Sequence, residues 1–192
     1  MFQNSLDIHE VKELRLKTLV YFGCGAIRKI EDIAAELEKR GVHSMLVVTG
    51  RGAYKVTGAW GYVVPALEKH KIKYVLYDKV TPNPTTAQID EAVALGRTID
   101  AGAVLCIGGG SPTDAGKSAA ILLENPQYDA AQLYEYKFTP EKAVPVIAIN
   151  LTHGTGTEVD RVAVATILEK EYKPAIVADC IYPTWAIDDP AL

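Results

Sequence analysis

Cysteine is scarce in this chain: Cys24, Cys106 and Cys180 are the three among 192 residues, and they lie far apart. That number and spacing exclude a small disulfide-stapled scaffold. Each sits in an apolar, strand-like stretch, so the three read as reduced core thiols of a cytoplasmic protein. Long apolar runs are missing too. None approaches the ~18 residues that a membrane span needs, and the opening MFQNSLDIHEVKEL mixes charge into every short window, against a signal peptide. Nor is there a basic excess: Lys+Arg 20 against Asp+Glu 24 leaves a formal net charge of -4, which argues against a nucleic-acid partner. Internal repeats and low-complexity tracts are also absent. What is present is a chain with 48% apolar residues, which excludes disorder. At ~150 residues per domain, its length predicts one large domain, or one domain plus a fragment.

The apolar pattern alternates between short β-branched runs and longer stretches at helical spacing. Runs at Thr18 to Phe22, Ser44 to Thr49, Lys73 to Tyr77, Ala103 to Ile107 and Val146 to Ile149 have no polar alternation, as expected for parallel strands buried on both faces. Between them, Ile27 to Lys39, Ala59 to His70, Thr86 to Thr98 and Thr113 to Leu123 carry helical periodicity. Each is long enough to cross over and return the chain in parallel. Asn125 to Pro140 reads as a polar, aromatic surface excursion. Val162 to Leu168 and Pro174 to Ala178 flank the charged turn Glu169 to Lys173 and predict a short β-hairpin near the C-terminus. The expected fold class is α/β, an open and mostly parallel sheet with flanking helices, with its ligand beyond the carboxyl ends of the strands.

Three glycine-bearing turns could cradle a phosphate. Gly23-Cys24-Gly25-Ala26-Ile27-Arg28 follows a strand and opens a helix, but it lacks the third glycine of a dinucleotide fingerprint, and a tight strand-to-helix turn is the simpler reading. Gly108-Gly109-Gly110-Ser111-Pro112 is stronger: backbone can approach a ligand with no Cβ in the way, and the following helix offers its N–H groups and positive dipole end. The sequel Gly116-Lys117-Ser118 is no phosphate-loop ending, because five residues separate Gly110 from Gly116 where that pattern has four. The third turn, Asn150 to Glu158, brings hydroxyls and glycines suited to hydrogen bonding, with Glu158 either functional or a cap on backbone N–H groups.

In their order along the chain, these pieces resemble one family, the iron-dependent (group III) alcohol dehydrogenases, and within it the butanol dehydrogenase-like, NADPH-using aldehyde reductases. The carriers are Val47 to Gly52, Pro82-Asn83-Pro84-Thr85, Gly109 to Asp114 with Lys117, Thr152 to Val159, Lys173, and Tyr182-Pro183 to Asp189-Pro190. The resemblance implies a Rossmann-like, dehydroquinate synthase-like N-terminal domain over residues 1–192 that binds NADP, with NAD less favoured. By that resemblance Gly109, Gly110, Ser111 and Asp114 take the pyrophosphate, Thr152 and Thr155 lie along the nicotinamide half, Lys173 and Val164 meet the nicotinamide ribose, and Asn83 stands near the adenosine half. Gly50, Arg51 and Gly52 occupy the strand end where an acid would hold the ribose hydroxyls of NAD. An acid there would also repel the 2′-phosphate of NADP. Leu151 and His153 depart from the small or hydroxyl-bearing residues usual in this loop, and His153, with no evident partner, reads as a polar loop residue rather than a catalytic acid.

The resemblance further implies iron or zinc, held by an aspartate and three histidines on a following helical domain. His9, His43, His70 and His153 are scattered and match none of those ligands. The chain therefore reads as the cofactor domain alone: it binds no metal, it is inactive by itself on the small alcohol or aldehyde of the complete enzyme, and its exposed domain interface would favour a homo-oligomer. The competing readings are an inert dinucleotide-binding module and a phosphoryl-transfer enzyme using Lys117 and the acidic strand end at Asp188-Asp189. Glycerol dehydrogenases and dehydroquinate synthases share parts of the same grammar.

Overall fold

The computed structural model describes residues 12–15 and 17–192, so His9 lies outside the described residues. Its main sheet has seven strands: β1 (Lys12–Arg15), β2 (Leu19–Phe22), β3 (Ser44–Gly50), β4 (Lys73–Val80), β5 (Val104–Gly108), β6 (Val146–Asn150) and β9 (Trp185–Asp188). They stand in the order β1-β2-β9-β6-β5-β3-β4, parallel throughout except for β1, which runs antiparallel to β2. A separate antiparallel pair, β7 (Val162–Val164) and β8 (Ala175–Val177), forms the hairpin. Helices α1 (Ile30–Lys39) and α3 (Trp60–Lys69) cover one face; α4 (Thr86–Arg97), α5 (Gly110–Glu124) and α6 (Ala130–Tyr134) cover the other.

The alternation of side chains along each strand explains the two cores. On β5, Val104 and Cys106 point to the α5 face while Leu105 and Ile107 point to the α1 face, and all are buried. A strand flanked by apolar layers on both sides has no place for polar alternation. Helix α1 answers with Ile30, Ile33, Ala34 and Leu37 at helical spacing toward the sheet. Helix α4 starts with a capping box, in which the Thr85 hydroxyl accepts from the Gln88 N–H and the Gln88 side chain accepts from the Thr85 N–H. No described helix is long and apolar enough to cross a membrane.

Several sequence expectations need correction. Strand β9 was noted only as an acidic strand end at Asp188-Asp189 and not among the apolar runs, because Trp185 to Asp188 holds a single β-branched residue and ends on aspartate, although it fills the gap between β2 and β6. Helix α2 (Ala53–Val56) was also missed, being a single turn. The 125–140 excursion is not wholly superficial: α6 buries Ala130, Leu133 and Tyr134, and its start is capped by Asp129. The hairpin strands are shorter than expected, because 168–170 winds into a 3-10 turn. Of the cysteines only Cys106 is a core thiol, pushed up by burial to about 12, whereas Cys24 and Cys180 are half-buried outside the strands.

Helix α5 approaches the sheet more closely than any side chain would allow. A Cβ on Gly116 would stand 2.2 Å from Cys106 Sγ and 3.3 Å from Val104 Cγ1. Gly116→Ala is therefore expected to cost about 1–3 kcal/mol through overpacking, read from the urea midpoint. Adding Cys106→Ala removes the clashing sulfur, so the double variant should be less destabilised than the sum of the two single changes.

Candidate functional site

Strand β3 sends the chain to β4 on one side, and the crossover through α4 then brings it back to β5 on the other. The strand order thus reverses between β3 and β5, and the diverging connections leave a crevice at their carboxyl ends. A cleft of about 580 Å³ lies there, lined by Gly50 and Arg51 at the end of β3, Val80, Thr81 and Pro82 at the end of β4, Gly109 to Pro112 at the start of α5, and Thr152 after β6. Its floor is glycine for steric reasons. Gly108 has φ +150, and a Cβ there would press to 2.7 Å from Pro112 Cγ. Cβ atoms on Gly109 and Gly110 would come to 3.1 Å from Thr152 Cβ and Thr155 Cγ2 respectively. The triple glycine therefore serves both the close packing of its own loops and the exposure of backbone to the cleft. No side chain caps the α5 start at Gly109, in contrast to the capping boxes of α4 and α6. The leading N–H groups and the positive dipole end of a 15-residue helix thus face the cleft.

Six residues singled out from the sequence, Gly50, Arg51, Gly109, Gly110, Ser111 and Thr152, line this one cleft. Thr155 stands against Gly110. Asn83 and Lys173 join at the rim: Lys173 Nζ donates to Asn83 Oδ1 at 2.6 Å, and the Asn83 N–H donates to Ser111 Oγ at 3.2 Å. Asn83 holds a left-handed φ of 58, a conformation asparagine tolerates. Gly52 stands at the start of α2 with open space beside it. Asp114 and Val164 meet behind the cleft, where Asp114 Oδ2 accepts the Val164 N–H at 3.1 Å and Oδ1 accepts the Thr157 hydroxyl at 2.6 Å. Burial drives the Asp114 carboxyl above its ordinary pKa, and those two hydrogen bonds offset part of the rise.

Lys117 has no reach to the cleft. Its side chain is fully buried and its ammonium is bonded to Thr157, Asp160 and Val162, so Gly116-Lys117-Ser118 does not form a phosphate loop. Sequence reasoning missed this cluster, because Lys117, Thr157 and Asp160 lie 43 positions apart at most and no spacing rule joins them. His153 is a mostly exposed loop residue, as the sequence reading had it. Its Nδ1 lies 3.9 Å from Oδ1 of the buried Asp188, which also accepts from Asn150 Nδ2 at 2.9 Å. Nearby, burial raises the Glu158 carboxyl and the Asp188 charge adds to the rise, while Oε2 is left without a hydrogen-bond partner.

The first glycine turn has a structural explanation. Oδ2 of the buried Asp189 accepts the N–H groups of Gly25 and Ile27, each at 3.0 Å. The N–H groups that a phosphate would need at this turn already hold a carboxylate of the same chain.

Comparison with known proteins agrees with the fold and the motifs. The family model for iron-containing alcohol dehydrogenases matches residues 17–190. The chain belongs to that family. Its sequence is 58% identical over 192 residues to the long-chain primary alcohol dehydrogenase AdhA of Thermoanaerobacter ethanolicus, covering all of this chain and 48% of that protein. The structure superposes on NADH-dependent butanol dehydrogenase A from Thermotoga maritima with a TM-score of 0.84 and 32% identity, covering 95% of this chain and 45% of the other. It is also similar to sulfoacetaldehyde reductase from Bifidobacterium kashiwanohense in complex with NAD+, with a TM-score of 0.80, 29% identity, and coverage of 92% and 45%. The chain spans about half the length of the curated relatives it matches.

Asp189→Ala is expected to cost about 1–3 kcal/mol, because the buried Ile27 N–H and the partly buried Gly25 N–H lose their acceptor. Asp189→Asn keeps one acceptor oxygen and should recover part of the loss. Denaturant midpoints of the two variants check both statements.

Proposed function

We propose that residues 1–192 form the dinucleotide-binding domain of a metal-dependent alcohol dehydrogenase or aldehyde reductase, and that the cofactor is NADP(H) in preference to NAD(H). The observation that carries the reading is the meeting, in one cleft, of the uncapped α5 start, the glycine turn and a strand end without an acid. In this reading the pyrophosphate lies on the backbone of Gly109, Gly110 and Ser111, with Asp114 holding the turn from behind. The adenosine ribose lies toward Gly50, Arg51, Gly52 and Asn83. Because β5 separates β3 from β6 in the sheet, the nicotinamide half lies on the opposite side, along Thr152 and Thr155; the nicotinamide ribose is assigned to Val164, behind the cleft on Asp114, and to Lys173, whose hydrogen bond to Asn83 joins the two halves at the rim.

Bound there, a nicotinamide dinucleotide supplies or accepts hydride, and the domain contributes grip and orientation. The metal is a separate matter. Among the described residues no group of three or more His, Cys, Asp and Glu side chains is placed to hold a metal ion, so no step on this chain is assigned to one. In this proposal the chain's own part in turnover of a small alcohol or aldehyde is to bind and orient the cofactor.

Cofactor choice turns on Gly50. Arg51 is exposed at the cleft and has no carboxylate partner among the described residues, which leaves its guanidinium available to a 2′-phosphate. The opposite preference is favoured by two similar structures, one named as NADH-dependent and one in complex with NAD+. Aspartate fits at the position, since a Cβ on Gly50 would have the Val80 carbonyl oxygen at 3.4 Å as its nearest neighbour.

Calorimetry should find NADPH bound more tightly than NADH by at least about tenfold, equivalent to ~1.4 kcal/mol. Gly50→Asp should reverse that order, by restoring an acceptor for the ribose hydroxyls and repelling the 2′-phosphate. Equal affinities in the parent chain, or an unchanged order in the variant, overturn the NADP assignment.

A further inference from the structure

The buried lysine on α5 has an arrangement that helix packing alone does not require. Lys117 is 0% exposed, and its Nζ lies 2.9 Å from Thr157 Oγ1, 2.8 Å from Asp160 Oδ1, 3.0 Å from the Asp160 carbonyl oxygen and 3.1 Å from the Val162 carbonyl oxygen. An ammonium has three hydrogens and accepts nothing, so these four oxygens occupy all of them. That fixes the direction of the next bond. Thr157 Oγ1 receives from Lys117, and its own hydrogen goes to Asp114 Oδ1 at 2.6 Å. Asp114 Oδ2 in turn takes the Val164 N–H, and Asp160 Oδ1 takes the Val162 N–H at 2.8 Å. The Thr157 N–H points back at Thr155 Oγ1, 3.5 Å away, and Thr155 Cγ2 presses on the side-chain-free face of Gly110.

Elsewhere among the described residues the loop is held only near its start, where the Thr152 N–H donates to Asn150 Oδ1 at 3.3 Å and His153 Nδ1 stands 3.9 Å from Asp188 Oδ1. Residues 152–155 are exposed, and Gly154 and Gly156 take left-handed φ values of 123 and 70. Such a loop buries little apolar surface and gains little rigidity from its own backbone. Helix α5, by contrast, is already seated on the sheet by Ala115, Ala119, Ile121 and Leu122. A charge desolvated this deeply is costly unless its partners are well placed, and here all of the partners lie on 157–162, the segment just behind the loop.

We propose that Lys117 is a positioning residue for the half of the cleft away from Gly50: acting through Thr157 and Asp114, it sets the 152–157 loop against Gly109 and Gly110, and so determines how that loop meets the nicotinamide riboside. The inference rests on the dinucleotide reading of the cleft. It adds that the two ends of the cofactor are held by separable devices, the strand-end glycines at one end and a buried ammonium at the other.

The test compares two probes on the 192-residue chain. NADPH spans both ends of the cleft, whereas 2′,5′-ADP carries the adenosine end and no nicotinamide riboside. Lys117→Met should weaken NADPH by about tenfold or more in calorimetry while leaving 2′,5′-ADP within about twofold. Thr157→Val should act in the same direction with no change of charge, and Thr157→Ser, which keeps the hydroxyl, should restore NADPH binding. If Lys117→Met does not fold, the Val and Ser variants at position 157 decide alone. Equal weakening of both probes means general structural damage and overturns the inference, as does no weakening of either. If the parent chain binds neither probe, the dinucleotide reading itself fails and the inference falls with it.

Discussion

Everything at the carboxyl edge of the sheet depends on how closely α5 lies on β5. The helix begins two residues after the strand ends, which demands the left-handed Gly108 and the pressure of Pro112 against it. Farther along, Gly116 packs against the Cys106 sulfur, and a Cβ there could enter only if its neighbours shifted. With the helix drawn in so far, its N-terminus opens directly into the crevice between β3 and β5, and Lys117 is carried below the surface. The uncapped dipole end and the buried ammonium are thus two results of one packing constraint.

Polar groups behind the cleft follow a consistent logic. Asp189 and Asp114 are carboxylates that turn away from solvent and take backbone N–H groups, Asp189 from the 25–27 turn and Asp114 from Val164. Asn150 and Asp188 bond to each other across the ends of β6 and β9. Buried groups of this kind are tolerated when paired, and each pairing ties a loop to the strand end beneath it. The start of α5 is different. Its N–H groups face the cleft with no carboxylate among the described residues upon them, which is why the second glycine turn, and not the first, is proposed as the ligand site.

Much of this could be read in advance. Continuous apolar runs at Val104 to Ile107 and Val146 to Ile149 announced strands buried on both faces, and the intervening periodicity announced the crossovers, because both signals are local. The glycine turn was equally legible, since three consecutive glycines need a reason close at hand. Less visible were β9, whose Trp-Ala-Ile-Asp has one β-branched residue, α2, a single turn, and α6, whose buried Tyr134 looks from the sequence like one aromatic in a polar loop. Lys117 was legible only in part. Its glycine spacing already spoke against a phosphate loop, but nothing local announced the spatial neighbours, Thr157, Asp160 and Val162, that occupy its hydrogens.

The sequence by itself determined the class of fold, the family and the candidate cofactor contacts, because each of these rests on short-range pattern: apolar periodicity, glycine placement and the order of motifs. Only the tertiary structure decided which polar groups face outward. A carboxylate such as Asp189, an ammonium such as Lys117 and an imidazole such as His153 have the same chemistry wherever they fall in the chain. What each one does is set by partners from distant segments, 162 positions away for Asp189 and Ile27, and local pattern carries no record of who those partners are.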